Sequence, residues 1–303
     1  MLGLVLLAWG GCLGAGCGSP PDVQEAEAVA LEDIATFRRE RIEELKQPDS
    51  WLTLAGLHWL DEGETTFGSA PSNDIVFAEG KAPERIGTFT FDGQTVRMRV
   101  EPGVVLTHEG EPVDTLTLVS DAGETPTELR YGSLTWYVIE RDHGVGIRLK
   151  DSEHPALAAF DGIETFPVDL ALRLKGRVEW YDPPKVLQIP TIMGSISEQT
   201  APGTLVFEID GATYRLDVTG ERGDEAFFVV FADKTNGRET YGGGRYMWVD
   251  APDENDELII DFNKSYNPPC VFTPYATCPL PTPQNRLPLR IEAGEKVYGK
   301  ETF

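Results

Sequence analysis

From Trp51 onward, apolar residues recur at every second position in short runs: Phe89 and Phe91, then Val96, Met98 and Val100, then Leu116 and Leu118, then Trp136 and Val138. A period of two places alternate side chains on opposite faces of a strand, and each run is bounded by Gly, Pro, Asp or Asn. Strands this short and this evenly spaced predict a β-sandwich over residues 51–151. Alternation fades between Asp151 and Phe166, around His154-Pro155 and Gly162, which marks a joint between domains. It resumes at Leu170, Leu172 and Leu174, then Val178 and Trp180, then Leu205, Phe207 and Ile209, then Leu216 and Val218, and finally Phe227 to Phe231. With turns at Asp210-Gly211 and Gly220 to Asp224, residues 160–303 are expected to form a second antiparallel β unit, a barrel or a sandwich.

Ahead of the strands the period is helical. Leu31, Ile34, Ala35, Ile42 and Leu45 fall near helical spacing, acidic residues come early, Lys46 comes late and Pro48 stops the run, which predicts an amphipathic helix over residues 28–47. Its basic group Arg38, Arg39 and Arg41, set among acidic residues, fits a solvated face. Residues 17–27, rich in Pro, Asp, Gln and Glu, are expected to be a polar tether. The chain is therefore mainly β with one N-terminal helix, and it carries no internal repeat or heptad run.

Met1 to Gly16 is uncharged and apolar, too short to span a bilayer and suited to the apolar core of a signal peptide. It resembles a bacterial lipoprotein signal: Gly14, Ala15 and Gly16 precede Cys17, which the resemblance makes the lipidated first residue of the mature chain, with Cys12 as the alternative acceptor. Two details depart from that pattern, Leu13 standing one place early and no Lys or Arg preceding the apolar run. A lipid anchor implies the cell envelope, on the periplasmic or extracytoplasmic face. In that oxidising setting Cys270 and Cys278 remain as an even pair and are expected to form a disulfide. Closing about nine residues stabilises by roughly 2.6 kcal/mol in the chain-entropy model. No metal is expected, because the histidines at 58, 108, 143 and 154 have no ligand spacing to the pair, and no cofactor motif is legible. A net charge of −24 without a basic run argues against nucleic-acid binding.

The stretch Asp233 to Lys296 differs from everything before it, since aromatics, prolines, glycines and polar groups alternate every few residues. Tyr241-Gly-Gly-Gly-Arg245 lets the backbone reach positive φ, and Pro268, Pro269, Pro279, Pro281 and Pro283 stiffen the later part of the stretch. DKTNGRETYGGGRY, LIIDFNKSYNPPCVFTPYATCPLPTPQNRL and AGEK resemble the bacterial family called domain of unknown function 1684, with a weaker likeness back to the WLTLAGLHWL run at Trp51. That resemblance implies an architecture and a set of marked residues, and no activity. Gly63 to Asp151 also resembles the forkhead-associated domain, through Phe67-Gly68-Ser69, Ser72 to Val76, Gly110 with Pro112-Val113, and Leu129 to Leu134. That family reads phosphothreonine with an arginine where this chain has Ser69, and its serine-to-histidine motif is here Pro83 to Gly87, so phosphopeptide binding is not expected.

Each candidate for chemistry has a plainer reading beside it. The glycine triplet is followed by the strand-like Tyr246 to Val249 instead of a helix, so it is a bulge, a tight turn or a close approach to a ligand, and not a nucleotide loop. Ser195 lacks the second glycine of a nucleophile elbow and is a turn serine. His58 is an interior histidine or a proton carrier. The ligand-site set is Asp233, Thr240, Tyr241, Arg245, Asp261, Asn263, Tyr266, Asn267, Asn285 and Arg286. Asp261 and Asn263 are expected on one strand face opposite Phe262; the structural alternative pairs Asp261 with Arg245 and spends the asparagines on backbone groups. This set supports two functions. One is a binding module for a small polar or anionic ligand, using Tyr241, Arg245, Asn263, Tyr266 and Arg286. The other is a hydrolase-type enzyme with Asp261 or His58 as general base and Arg245 or Arg286 stabilising charge. A scaffold without ligand is the third reading.

Overall fold

The computed structural model describes residues 21–123 and 125–299; the expected signal segment, Cys12, Cys17 and the start of the tether lie outside the described residues. The chain is mainly β with one long N-terminal helix, as the alternation predicts. Ile75–Val76, Gly63–Gly68, Gly87–Phe91, Val96–Val100 and Thr115–Leu118 make one five-stranded sheet. Leu54–Trp59, Gly144–Asp151, Leu134–Arg141, Leu129–Tyr131, Leu106–His108 and Glu111–Val113 make a six-stranded sheet. Their apolar faces meet around Phe67, Phe77, Phe89 and Trp136, all fully buried, with Phe67 stacked on Phe89 at 4.2 Å.

The second unit is built on two long strands, Arg173–Pro190 and Ile196–Ile209, flanked by Ala212–Asp217 and Glu257–Asp261 in a four-stranded antiparallel sheet. A separate hairpin, Ala226–Phe231 with Arg245–Asp250, packs on it. Alternation sets the two faces of that hairpin. Phe227, Val229, Phe231, Met247 and Val249 enter the core with Leu205, Phe207 and Ile260, while Phe228, Tyr246 and Trp248 face the other way.

One charged residue occupies a core-facing position on the hairpin. Arg245 is wholly buried, in line with Met247 and Val249. Its guanidinium meets the Asp233 carboxylate at 3.4 Å and donates to the carbonyls of Ala293 and, at 2.9 Å, Ile291. Asp233 in turn accepts from the Ile291 N–H at 2.6 Å and the Thr235 hydroxyl at 2.8 Å. Those carbonyls belong to the stretch after Asp261, which has no described strand and folds as 3-10 turns and loops. Side chains therefore do the work of a ladder there. Asn285 accepts from Asp217 N–H and donates to the carbonyls of Asp217 and Val230, each within 2.9 Å. Asn263 pairs with both backbone groups of Asp169, and the Asn267 amide donates to the Lys296 carbonyl.

The helix runs Pro21–Leu45, starting earlier than the expected 28, so most of the expected tether is helical. The reason is local: Gln24 to Ala30 consists largely of strong helix formers. Ala30, Ile34, Arg41 and Leu45 form its buried face. The arginine group is not a solvated face. Arg41 is buried, donates to the Asn267 carbonyl at 3.1 Å and pairs with Glu295 at 3.4 Å, and Arg38 reaches the Phe166 carbonyl at 3.1 Å. Only Arg39 stays at the surface, bonded to Thr36. Helical periodicity finds the face but cannot tell a charge that docks from one that is hydrated.

Removing the Asp233 carboxylate strands a buried guanidinium, so Asp233→Ala is expected to cost about 3–5 kcal/mol in urea unfolding. A cost below about 1 kcal/mol would mean that the pair does not hold the chain after Asp261 in place.

Candidate functional site

The sequence-predicted set is mostly structural. Asp233, Thr240, Arg245, Asp261, Asn263, Asn267 and Asn285 are all buried. Asp261 and Asn263 do not share a strand face: the strand ends at Asp261, whose carboxylate caps the next turn by accepting from the Asn263 N–H at 3.0 Å. The partner of Asp261 is Arg173, at 2.6 Å, and not Arg245, which is taken by Asp233. Thr240 shares a buried 2.7 Å hydroxyl contact with Thr235. Arg286 is exposed and donates to the Pro281 carbonyl at 3.3 Å. The glycine triplet serves packing as well. Gly244 sits at φ +96°, and a Cβ there would lie 2.5 Å from Pro281 and 2.7 Å from the Phe231 carbonyl.

His58 stands apart from all of these, in Leu54–Trp59 of the sandwich opposite Ile147, and burial pulls its imidazole below the ordinary pKa. Asp261 lines a cavity with Arg173, Asp33 and Trp248, and His58 is not part of that lining. The groups named for catalysis are not brought together.

What the structure does build is a cleft of about 290 Å³ between the sandwich and the second unit. Ser195 and Thr191, at the tip of the long hairpin and 2.8 Å apart through their hydroxyls, form one side. The loop Ala276 to Pro279 forms the floor, tied to the hairpin tip by the Ile192 N–H donating to the Cys278 carbonyl at 2.9 Å. The sandwich contributes Arg141 and Arg148. Their positions follow from strand register. Ile147 and Leu149 face the sandwich core, so Arg148 between them projects from the opposite face, toward the second unit.

The two guanidiniums differ in their partners. Arg141 makes a bidentate pair with Asp121 at 2.8 and 2.7 Å. Arg148 is 3% exposed, and among the described residues no carboxylate comes within ion-pair distance of it. Its contacts are the Thr277 hydroxyl at 3.4 Å and the Trp51 ring at 5.9 Å, and its Nε has no hydrogen-bond partner. Arg141 Nε also aims at Thr277 Oγ1, again at 3.4 Å, so both guanidiniums converge on one hydroxyl. The exposed Asp142 and His143 stand at the rim.

The rest of the lining is uncharged. Burial pushes the Cys278 thiol and the Tyr246 phenol far above their ordinary pKa values, and the phenol donates to the Pro279 carbonyl at 2.9 Å. The Tyr266 phenol nearby is pushed up to about 12 by burial, with Arg41 opposing. A protonated thiol beside neutral phenols is a poor nucleophile. The disulfide expected between Cys270 and Cys278 is not formed in this structure. Both cysteines are in the thiol form, placed side by side with the Cys270 N–H donating to Cys278 Sγ at 3.1 Å.

Sequence reasoning missed Arg141, Arg148 and Thr277. An outward-facing arginine on a strand is ordinary, and nothing in its neighbours signals that a second unit will cover it. Thr277 alone had a signal, since it lies in the YATCPLP run of the proline-rich stretch.

The second unit matches a family of uncharacterised proteins. The family model is described as "Protein of unknown function (DUF1684)" and matches residues 158–296, which supports assigning the second unit to that family. The solution structure of an uncharacterized protein from Haloarcula marismortui is 30% identical, covering 47% of this chain and 80% of its own, at a TM-score of 0.40. The crystal structure of the FhaA forkhead-associated domain, complexed with the intracellular domain of another protein, is 15% identical over 31% of this chain and 97% of its own, at a TM-score of 0.22. None of the curated proteins matches this chain.

Proposed function

We propose that the protein binds a small anionic ligand, a carboxylate or a phosphate, in the cleft between its two β units. The observation that carries this reading is Arg148: a buried guanidinium, unpaired with any described carboxylate, lining a cavity and sharing its one hydroxyl contact with a second guanidinium. Burying a charge without a counter-charge is unfavourable by several kcal/mol, and such groups are retained where a ligand supplies the missing charge. The reading keeps the small anionic ligand expected from sequence and moves its seat. Tyr241, Asn263, Arg245 and Arg286 give way to Arg148, Arg141 and Thr277.

The hydrolase alternative has less support, because Asp261 is tied to Arg173 and His58 lies in the other unit. A sandwich of forkhead-associated type that reads no phosphopeptide is consistent with Ser69, whose hydroxyl is engaged with the Ala82 carbonyl at 2.8 Å. We further propose that the chain is anchored through lipid on Cys17 in the bacterial envelope, on the strength of the apolar start and the small residues before that cysteine. The adjacency of Cys270 and Cys278 supports their closing into a bridge in that compartment.

Removing Arg148 tests the cleft reading. Calorimetric titration of methyl phosphate and of acetate is expected to show saturable binding to the wild type and at least about a tenfold loss in Arg148→Met. The same variant should unfold at the same temperature or higher, because an uncompensated charge has left the interior. Lost stability without lost binding would make Arg148 a structural residue. The anchor has its own check: Cys17→Ser should move the protein from the membrane to the soluble fraction, and unchanged partition discards the lipid. For the bridge, titrating the unfolded, unreduced envelope protein should find no reactive thiol at positions 270 and 278; two reactive thiols there rule it out.

A further inference from the structure

A second cavity, of about 310 Å³, adjoins the cleft and shares Trp51, Phe228, Tyr246 and Pro269 with it. Its remaining lining is largely aromatic: Phe37 from the helix, Trp248 from the hairpin and Tyr266. The rings form a chain of edge-to-face and tilted contacts on the hairpin face that points away from the core. Trp248 meets Phe228 at 5.0 Å, Phe228 meets Tyr246 at 4.9 Å, and Tyr246 meets Tyr266 at 6.0 Å. One face of Tyr266 is already covered by the Arg41 guanidinium at 4.8 Å. Trp248, by contrast, is 57% exposed, an unusual state for the largest apolar side chain on a short strand. Trp51 joins the two cavities, since its ring centroid lies 5.9 Å from the Arg148 guanidinium carbon. A group seated in the second cavity would therefore adjoin the anion seat across the lining the two cavities share.

We infer that the ligand is an aromatic anion, whose carboxylate or phosphate is held at Arg148 and Thr277 and whose ring stacks in the second cavity against Trp248 and Phe228. This rests on the cleft reading above and adds the chemical class of the ligand's other end. Trp248 is the exposed ring of this chain, and an exposed ring face accepts a flat ring in stacked or T-shaped contact better than a saturated one of the same size. Together the two cavities match the size of a site for a small molecule with one charged end. Glu44, the carboxylate on this cavity, meets Arg41 at 3.3 Å, a guanidinium it shares with Glu295.

The test compares three probes on the full mature chain by titration calorimetry: methyl phosphate, cyclohexyl phosphate and phenyl phosphate. Phenyl phosphate is expected to bind at least about tenfold more tightly than methyl phosphate and clearly more tightly than cyclohexyl phosphate. Trp248→Ala, whose side chain is at the surface, should remove most of the phenyl advantage while leaving methyl phosphate binding unchanged. Equal binding of all three probes overturns the ring seat and leaves the anion seat standing. Cyclohexyl matching phenyl overturns the aromatic class. A phenyl advantage indifferent to Trp248→Ala overturns the location. Binding of none of the three overturns both readings together.

Discussion

The pairing of Arg245 with Asp233 is the contact on which the rest of the second unit depends. Strand alternation places Arg245 in the core, where a lone guanidinium would be prohibitive. It is tolerated because the carboxylate and two backbone carbonyls surround it, and those carbonyls come from a stretch with no described ladder of its own. The charge that would unfold a simpler hairpin here fixes the path of residues 285–296 across it. That path in turn fixes Glu295, which receives Arg41 from the helix and the Asn267 N–H from the loop before the cysteines. Burial pushes the Glu295 carboxyl upward and Arg41 opposes it, so helix, loop and final segment meet at one buried acid.

Much of this architecture was legible in the chain, and the part that was not has a consistent cause. Period-two runs gave the strands, because side-chain direction in a strand is a local property. The glycine triplet announced a tight turn for a similar reason: φ +96° at Gly244 is a property of one residue and its immediate packing. Partnership is not local. Asp261 and Arg245 lie close enough in sequence to invite pairing, yet Arg173 and Asp233 take them, because the sheet brings Arg173 opposite Asp261 in register. Arg38 and Arg41 failed for the same reason, since only the docked helix shows which arginines meet a carbonyl or a carboxylate.

The polar residues of the glycine- and proline-rich stretch were expected to mark a ligand site, and in the structure they brace the loop that lines the cleft. Asn285, Asn263 and Asn267 spend their amides on backbone groups that a strand would have satisfied. With the loop so fixed, Thr277 and Cys278 are held against the hairpin tip and beneath the sandwich arginines. The cleft is thus a product of rigidity elsewhere.

Arg245 and Arg148 make the argument for function by contrast. Both are buried on strands. Arg245 has acceptors at both terminal nitrogens, which the fold alone supplies, although its Nε, like that of Arg148, has no hydrogen-bond partner. Arg148 has a distant hydroxyl and a ring face, and the fold gives no reason for a guanidinium where methionine would pack as well. A polar group whose cost the structure does not offset points to something the structure is built to receive. On the reading proposed above, the Arg148 guanidinium and the neighbouring aromatic lining, with Trp248 at the surface, suit negative charge carried on a flat apolar body.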